Sequence, residues 1–215
     1  MPITRRKVSA VLNDFHQEIE RLERYDRENQ QKFSCSVSSP DKVRISRHQL
    51  HMLTESIFSR GFVAYENFLR DTFLLYCMHK PTTNNIKVNS YVNPRDFLHA
   101  EKLVQSSMNY LDWSSPDILV ERAELYLAEG YPFKGAITSN LNLLKDYKHI
   151  RNHIAHNSKE SYTNYLKALR HQFTTMPLVI PCPGEFLLTP EKGLPHKYKL
   201  LTFFEVMIKV AGDLT

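Results

Sequence analysis

The chain has 215 residues, of which 42% are hydrophobic and 24% charged, enough to build a packed core and incompatible with a chain disordered throughout. With only six glycines it carries neither G-x-G-x-x-G nor G-x-x-x-x-G-K-[ST], so dinucleotide-fold and P-loop nucleotide sites have no support. A net charge of +5 leans toward a polyanionic partner; three dispersed cysteines (Cys35, Cys77 and Cys182) exclude a four-cysteine zinc module, and no apolar run reaches membrane-spanning length.

The basic start lacks the apolar stretch of a secretory signal. That lack and the cysteine pattern, which fits reduced thiols, give a cytoplasmic, non-membrane expectation. From about Thr4 to Lys32, Val8, Val11 or Leu12, Phe15, Ile19 and Leu22 recur at helical spacing, and Tyr25 extends the stripe. The Ser-rich stretch 34–40 ends this helix. A second helix is predicted over about 46–79, with Leu50, Leu53, Ile57, Gly61, Ala64, Phe68 and Leu75 on one stripe. Its segment 61–76 is apolar around most of its circumference, which predicts a central position. After Pro81 the polar stretch 82–94 reads as a loop, and 96–111 as a third helix. Ser115-Pro116-Asp117 has the form of a helix start, and Gly130-Tyr131-Pro132 closes that fourth helix after Glu129. Two more helices follow over 138–156 and 160–173.

Five of the eleven prolines then fall between Pro177 and Pro195. The short apolar runs Leu178-Val179-Ile180 and Phe186-Leu187-Leu188 predict a hairpin or extended excursion there. A closing helix over 199–215 packs back through Leu200, Phe203, Phe204, Met207 and Val210. The expected architecture is therefore all-α: one domain over 1–215, a bundle of about six or seven helices, with a Pro-rich, hairpin-like insertion over 176–198.

The chemistry concentrates in 146–158, DYKHIRNHIAHNS. On a helical wheel centred on Ile150, Leu143, Tyr147 and Ile154 fall within roughly 60° and form the expected core stripe. Arg151 lies at about 100°, Asn152 at about 200° and His156 at about 240°, away from that stripe, with the small Ala155 between them. Arginine offers a permanent fork of donors suited to phosphate, and histidine exchanges protons near neutral pH. Asparagine can hydrogen-bond either the imidazole or a phosphate oxygen. Together these groups match metal-free RNA cleavage, in which a base deprotonates the ribose 2′-OH and a cation stabilises the charge on phosphorus. One such helix supplies one imidazole where acid and base roles need two, so a two-fold dimer pairing the helix with its symmetry mate would complete the set. Between Lys145 and Phe173 six basic residues face two acidic ones, and Lys145, Lys148 and Lys159 suit a phosphate track.

Arg151-Asn152-His153-Ile154-Ala155-His156 resembles the R-N-x-x-A-H form of the R-x4-6-H motif of HEPN-domain ribonucleases, in its RiboL-PSP-like branch. Phe62-Val63-Ala64-Tyr65-Glu66-Asn67-Phe68-Leu69 is similar to an aromatic-x-x-x-Glu-x-x-Leu stretch of the same superfamily. The resemblance covers about Ser46–Phe173; Pro177–Pro195 lies outside it. It implies a HEPN-like helical bundle and a metal-independent endoribonuclease that needs no cofactor. Arg151 and His156 of two copies would share a cleft at a homodimer interface and leave a 2′,3′-cyclic phosphate and a 5′-OH. It also implies a toxin or antiviral-defence effector, with a neutralising antitoxin as a further partner. The alternative within the same resemblance is a non-catalytic module that binds a nucleotide or a protein.

Plainer roles stand beside these. Arg151 and His156 suit a helix C-terminus, where cations are favoured by ~0.3–1 kcal/mol. Asp146, His149, His153 and His156 have the spacing of a zinc-binding row, without an H-E-x-x-H pattern. Glu66 either orients Arg151 or His156, or pairs with Arg70 one turn away.

Overall fold

The computed structural model describes residues 6–34, 44–108 and 111–215, the side chains at 195 and 196 excepted. Cys35, most of the Ser-rich stretch, and Asn109 and Tyr110 of the expected third helix lie outside the described residues. The described chain is mostly helical: α1 (Val8–Ser34), α2 (Arg47–Cys77), α3 (Phe97–Gln105), α4 (Pro116–Tyr126), α5 (Phe133–Thr138), α6 (Leu141–His156), α7 (Lys159–Gln172), α8 (Pro183–Leu187) and α9 (Lys199–Leu214). Its one sheet is an antiparallel pair, β1 (Pro190–Glu191) and β2 (Leu194–Tyr198). No helix among the described residues is long and apolar enough to cross a membrane.

The all-α expectation holds, and two of the nine described helices are ones that periodicity does not predict. Both α5 and α8 are under two turns long, too short to establish a stripe. The C-terminal excursion also differs in detail. Phe186 and Leu187, expected in a hairpin or extended excursion, are buried in α8, which opens on Pro183 at its first position. The hairpin forms further on, around Gly193 with φ +80°. Leu178 and Val179 are strongly exposed between Pro177 and Pro181 and pair with no strand. The stripe of α1 runs through Val8, Val11, Phe15, Ile19 and Leu22 as predicted, but continues through Asp26 and Asn29 and leaves Tyr25 exposed.

The chain forms two compact units. One takes the chain up to His16, Ala64–Lys148 and Met207–Thr215; the other takes Gln17–Val63 and His149–Val206. In the first unit, Thr72–Cys77 of α2 are buried without a break, as the apolar circumference predicts. Phe73 there meets Phe133 edge-on at 5.0 Å and Trp113 at 5.6 Å. Tyr76 donates its hydroxyl hydrogen bond to the Leu214 carbonyl at 2.6 Å, fixing the end of α9. The turn Ser115-Pro116-Asp117 starts α4 as expected, with Pro116 at the first position and Asp117 in the first turn. α4 ends at Tyr126, before a short 3₁₀ turn over Ala128–Gly130 in which Glu129 has φ +56°.

In the second unit, Phe58 meets Phe203 edge-on at 4.3 Å. Gly61 lets α9 approach so closely that a Cβ there would lie 2.4 Å from the Phe204 ring. Tyr198 donates to the carboxylate of Asp26, which is fully buried, and burial raises that carboxyl's pKa above its ordinary value despite the hydrogen bond from Tyr198. Gly184 serves a similar close approach: its N–H donates to Glu55 at 2.8 Å, and a Cβ would strike the His51 carbonyl oxygen at 2.4 Å.

Candidate active site

The corner between α6 and α7 presents the motif, and local sequence explains why it forms there. Asn157 takes the left-handed conformation (φ +43°) that ends helices, and its N–H donates to the His153 carbonyl at 3.0 Å. Ser158 then caps α7 reciprocally. Its hydroxyl accepts from the Ser161 N–H at 3.1 Å, and the Ser161 hydroxyl accepts from the Ser158 N–H at 2.9 Å. Two residues thus reverse the chain, leaving His156 on the last turn of α6 and Lys159 on the first turn of α7.

The buried face of α6 is rotated from the expected one. Tyr147 and Ile150 are buried as predicted, but Leu143 and Ile154 are only half-buried, while Leu144, Asp146 and His153 are buried. The reason lies in the hairpin. His153 stacks on Tyr165 at 4.9 Å with a 20° interplanar angle, contacts Tyr162 at 5.5 Å, and places its Nδ1 3.2 Å from the Ser161 hydroxyl. α7 therefore folds onto the His153 side of α6 and draws that side inward. Burial lowers the pKa of His153 below the ordinary histidine value, partly offset by the charge of Glu55, so this imidazole stays neutral at pH 7. His153 is a fastening of the hairpin.

The remaining motif residues point elsewhere. The Arg151 guanidinium lies 5.9 Å from the centre of the Phe62 ring and donates to the Asn152 side-chain oxygen at 3.2 Å. Both residues are half-buried, whereas Ala155 and His156 are exposed. The structure thus brings Arg151 and Asn152 into direct contact and sets His156 one turn beyond, on an open end with a small neighbour. Among the described residues His156 makes no hydrogen bond or ion pair. Its imidazole is exposed to solvent at the helix end. Among the described residues, no group of three or more His, Cys, Asp or Glu could hold a metal ion, so the row Asp146, His149, His153 and His156 does not converge.

The lysines divide. Lys148 forms an ion pair with Asp112 at 2.5 Å, and Lys145 one with Asp117 at 2.8 Å. Burial alone would raise the Asp112 carboxyl, but the hydrogen bonds from Lys148 and Ser114 outweigh it and hold the group below its ordinary range. A phosphate at either lysine has to displace a carboxylate. Lys159 is exposed and stands at a helix N-terminus, where the dipole disfavours a cation, so helix stability does not account for its position. Glu66 belongs to the first unit and lines a cavity there, and Arg70 bonds to Asp71. The role of Phe62 as the bed of Arg151 escapes a reading of α6 alone, although Phe62 opens the aromatic stretch noted in α2.

No protein-family model matches the chain, and no curated protein or solved structure matches it significantly.

Proposed function

We propose that the chain is a metal-independent endoribonuclease of the HEPN type, active as a homodimer in which the α6 ends of two copies meet. The observation that carries the reading is the division of labour on α6. Arg151 is half-buried against Phe62 and bonded to Asn152, while His156, five residues on, is exposed beside Ala155. A guanidinium held in place suits stabilising charge, and an exposed imidazole suits exchanging protons.

In the proposed reaction, one His156 imidazole takes the proton of a ribose 2′-OH. The freed oxygen bonds to the adjacent phosphorus, and Arg151 stabilises the added negative charge. The bond from phosphorus to the 5′-oxygen breaks, and the imidazolium of the second copy donates a proton to that oxygen. The products are a 2′,3′-cyclic phosphate and a 5′-OH, so no water or metal enters the balance. Asn152 orients Arg151, and Lys159 adds a phosphate contact beside the cleft. A toxin or defence effector restrained by an antitoxin is the cellular setting this activity fits.

The test is cleavage of a single-stranded RNA panel with EDTA present. Arg151→Ala and His156→Ala should each reduce the rate by ~100-fold or more while the melting temperature and dimer mass hold. RNA left intact by the wild-type chain, with binding that Arg151→Ala weakens, would assign the non-catalytic binding role instead.

A further inference from the structure

Four buried polar atoms in the second unit have no hydrogen-bond partner among the described residues: Asp26 Oδ1, Asn29 Nδ2, Gln30 Nε2 and Thr202 Oγ1. Asp26 is 0% exposed and Asn29 2%, so bulk solvent does not serve them. They are four of the eight such atoms among the described residues, gathered at one joint rather than scattered. Buried polar groups nearly always find a partner, in protein or in ordered water. We propose that this joint encloses an ordered internal water molecule, held by Asp26, Asn29, Gln30 and Thr202, that fastens β2 and the start of α9 to α1. This assignment is independent of whether the chain cleaves RNA.

The placement follows from the elements. Asp26, Asn29 and Gln30 stand three and four residues apart on α1, so they share one face. That face continues the buried stripe, which carries polar residues after Leu22 where apolar ones would pack dry. Tyr198, the last residue of β2, donates to the other Asp26 oxygen, Oδ2. The Gln30 side chain lies close enough to Asp26 and Tyr198 to act on the ionisation of both. Thr202 follows Tyr198 by four residues, about one turn into α9. Arg27 does not supply the missing partner, because it is exposed and pairs with Glu23 at 3.9 Å.

Donor and acceptor character decides the occupant. Asp26 Oδ1 accepts, the Asn29 and Gln30 nitrogens donate, and the Thr202 hydroxyl does either. A bare cation would meet two amide N–H groups, and an anion would meet a carboxylate. Water donates and accepts together, and an internal water typically makes about three bonds to groups of this kind. All four atoms are closed to solvent, which restricts the occupant to a molecule of that size. Rotating either amide exchanges its nitrogen for its oxygen and leaves a polar atom that water serves equally. The polar end of the α1 stripe therefore has a task. It builds a hydrated joint, and the water leaves only when β2 lifts from α1.

A crystal structure of the full chain, at a resolution that places waters, should show one within hydrogen-bond distance of Asp26 Oδ1 and of at least one of the two amides. Water-oxygen relaxation dispersion, which counts long-lived internal waters, should lose one water's contribution in Asn29→Leu. Thr202→Val keeps the side-chain shape and should shorten that water's residence by about two- to tenfold, the effect of one lost hydrogen bond. Crystals grown in rubidium chloride supply the cation arm: anomalous scattering at Asp26 would assign a monovalent cation and overturn the proposal. Asp26 Oδ1 and Asn29 Nδ2 bonded directly to protein groups, or relaxation unchanged in both variants, would overturn it too. If Asn29→Leu fails to fold, the wild-type density and Thr202→Val decide.

Discussion

The His153 imidazole lies nearly parallel to the Tyr165 ring, 4.9 Å away, with its Nδ1 against the Ser161 hydroxyl. That contact joins the helix carrying the proposed chemistry to the one that follows it. Burial holds the pKa of His153 below its ordinary value, so the folded state resists a proton that the unfolded chain accepts. Stability from this site is complete above the unfolded-state pKa of about 6.5 and declines as pH falls below it. Urea midpoints at pH 7.5 and pH 5 should therefore differ more for wild type than for His153→Gln. Equal differences would remove His153 from the hairpin's acid sensitivity.

Asp26 titrates in the opposite sense. Its carboxyl is buried with a raised pKa, so the folded state gains a proton more readily than the unfolded one, and the cost of its charge is greatest at neutral pH and fades as pH falls. Asp26→Asn keeps an oxygen that accepts from Tyr198 and removes the charge. Its denaturation midpoint at pH 7 should exceed that of wild type, with the gap closing toward pH 4. Tyr198→Phe should lower the midpoint, by about 1–3 kcal/mol of stability, because it removes a bond from a buried carboxylate.

Phe62 supports Arg151 without reaching the exposed turn where His156 stands. Phe62→Leu leaves an apolar side chain and removes the ring face, worth ~0.5–2 kcal/mol to a nearby guanidinium. RNA cleavage should fall by about threefold to thirtyfold, with a melting temperature only a few degrees lower. A Phe62→Leu variant that cleaves RNA at the wild-type rate would show that Arg151 is positioned by other means.

The lysines should separate by salt dependence. Lys159→Ala should weaken RNA binding similarly across sequences and reduce the salt slope by about 0.7 for a lost single-strand phosphate contact, with the melting temperature unchanged. Lys148→Ala leaves a half-buried Asp112 without its main partner, so its first effect should be lower thermal stability. Filter binding at several salt concentrations, alongside thermal melts, distinguishes the two.

Thiol chemistry should discriminate similarly. The buried Cys77 thiol is pushed up to about 12, chiefly by desolvation, while Cys182 is exposed with its sulfur 3.4 Å from His51 Nδ1. Peptide mapping after iodoacetamide treatment of the native chain should find Cys182 alkylated and Cys77 protected until denaturant is added.

The long helices were legible because each carries an apolar stripe for many turns, and the motif's exposed end was legible from the wheel angle of His156. The rotation of α6 was not. A hydrophobicity pattern scores His153 as polar, and its burial is made favourable by the Ser161 hydroxyl and the Tyr162 and Tyr165 rings. Asp112 and Asp117 reach Lys148 and Lys145 from a different part of the chain, so the basic run looked freer in sequence than it is. Leu178 and Val179 misled in the other direction, since apolar runs between prolines suggest strands whether or not anything covers them.

Gly61 has no room for even a methyl group beside Phe204. The α2 backbone consequently meets the Phe204 ring directly at that crossing, with only a hydrogen atom between them. Substitution by alanine would push the two segments apart and loosen the aromatic cluster on which Arg151 rests. A glycine that touches no reactant thereby bears on where the adjacent Phe62 ring, and the guanidinium beside it, come to rest.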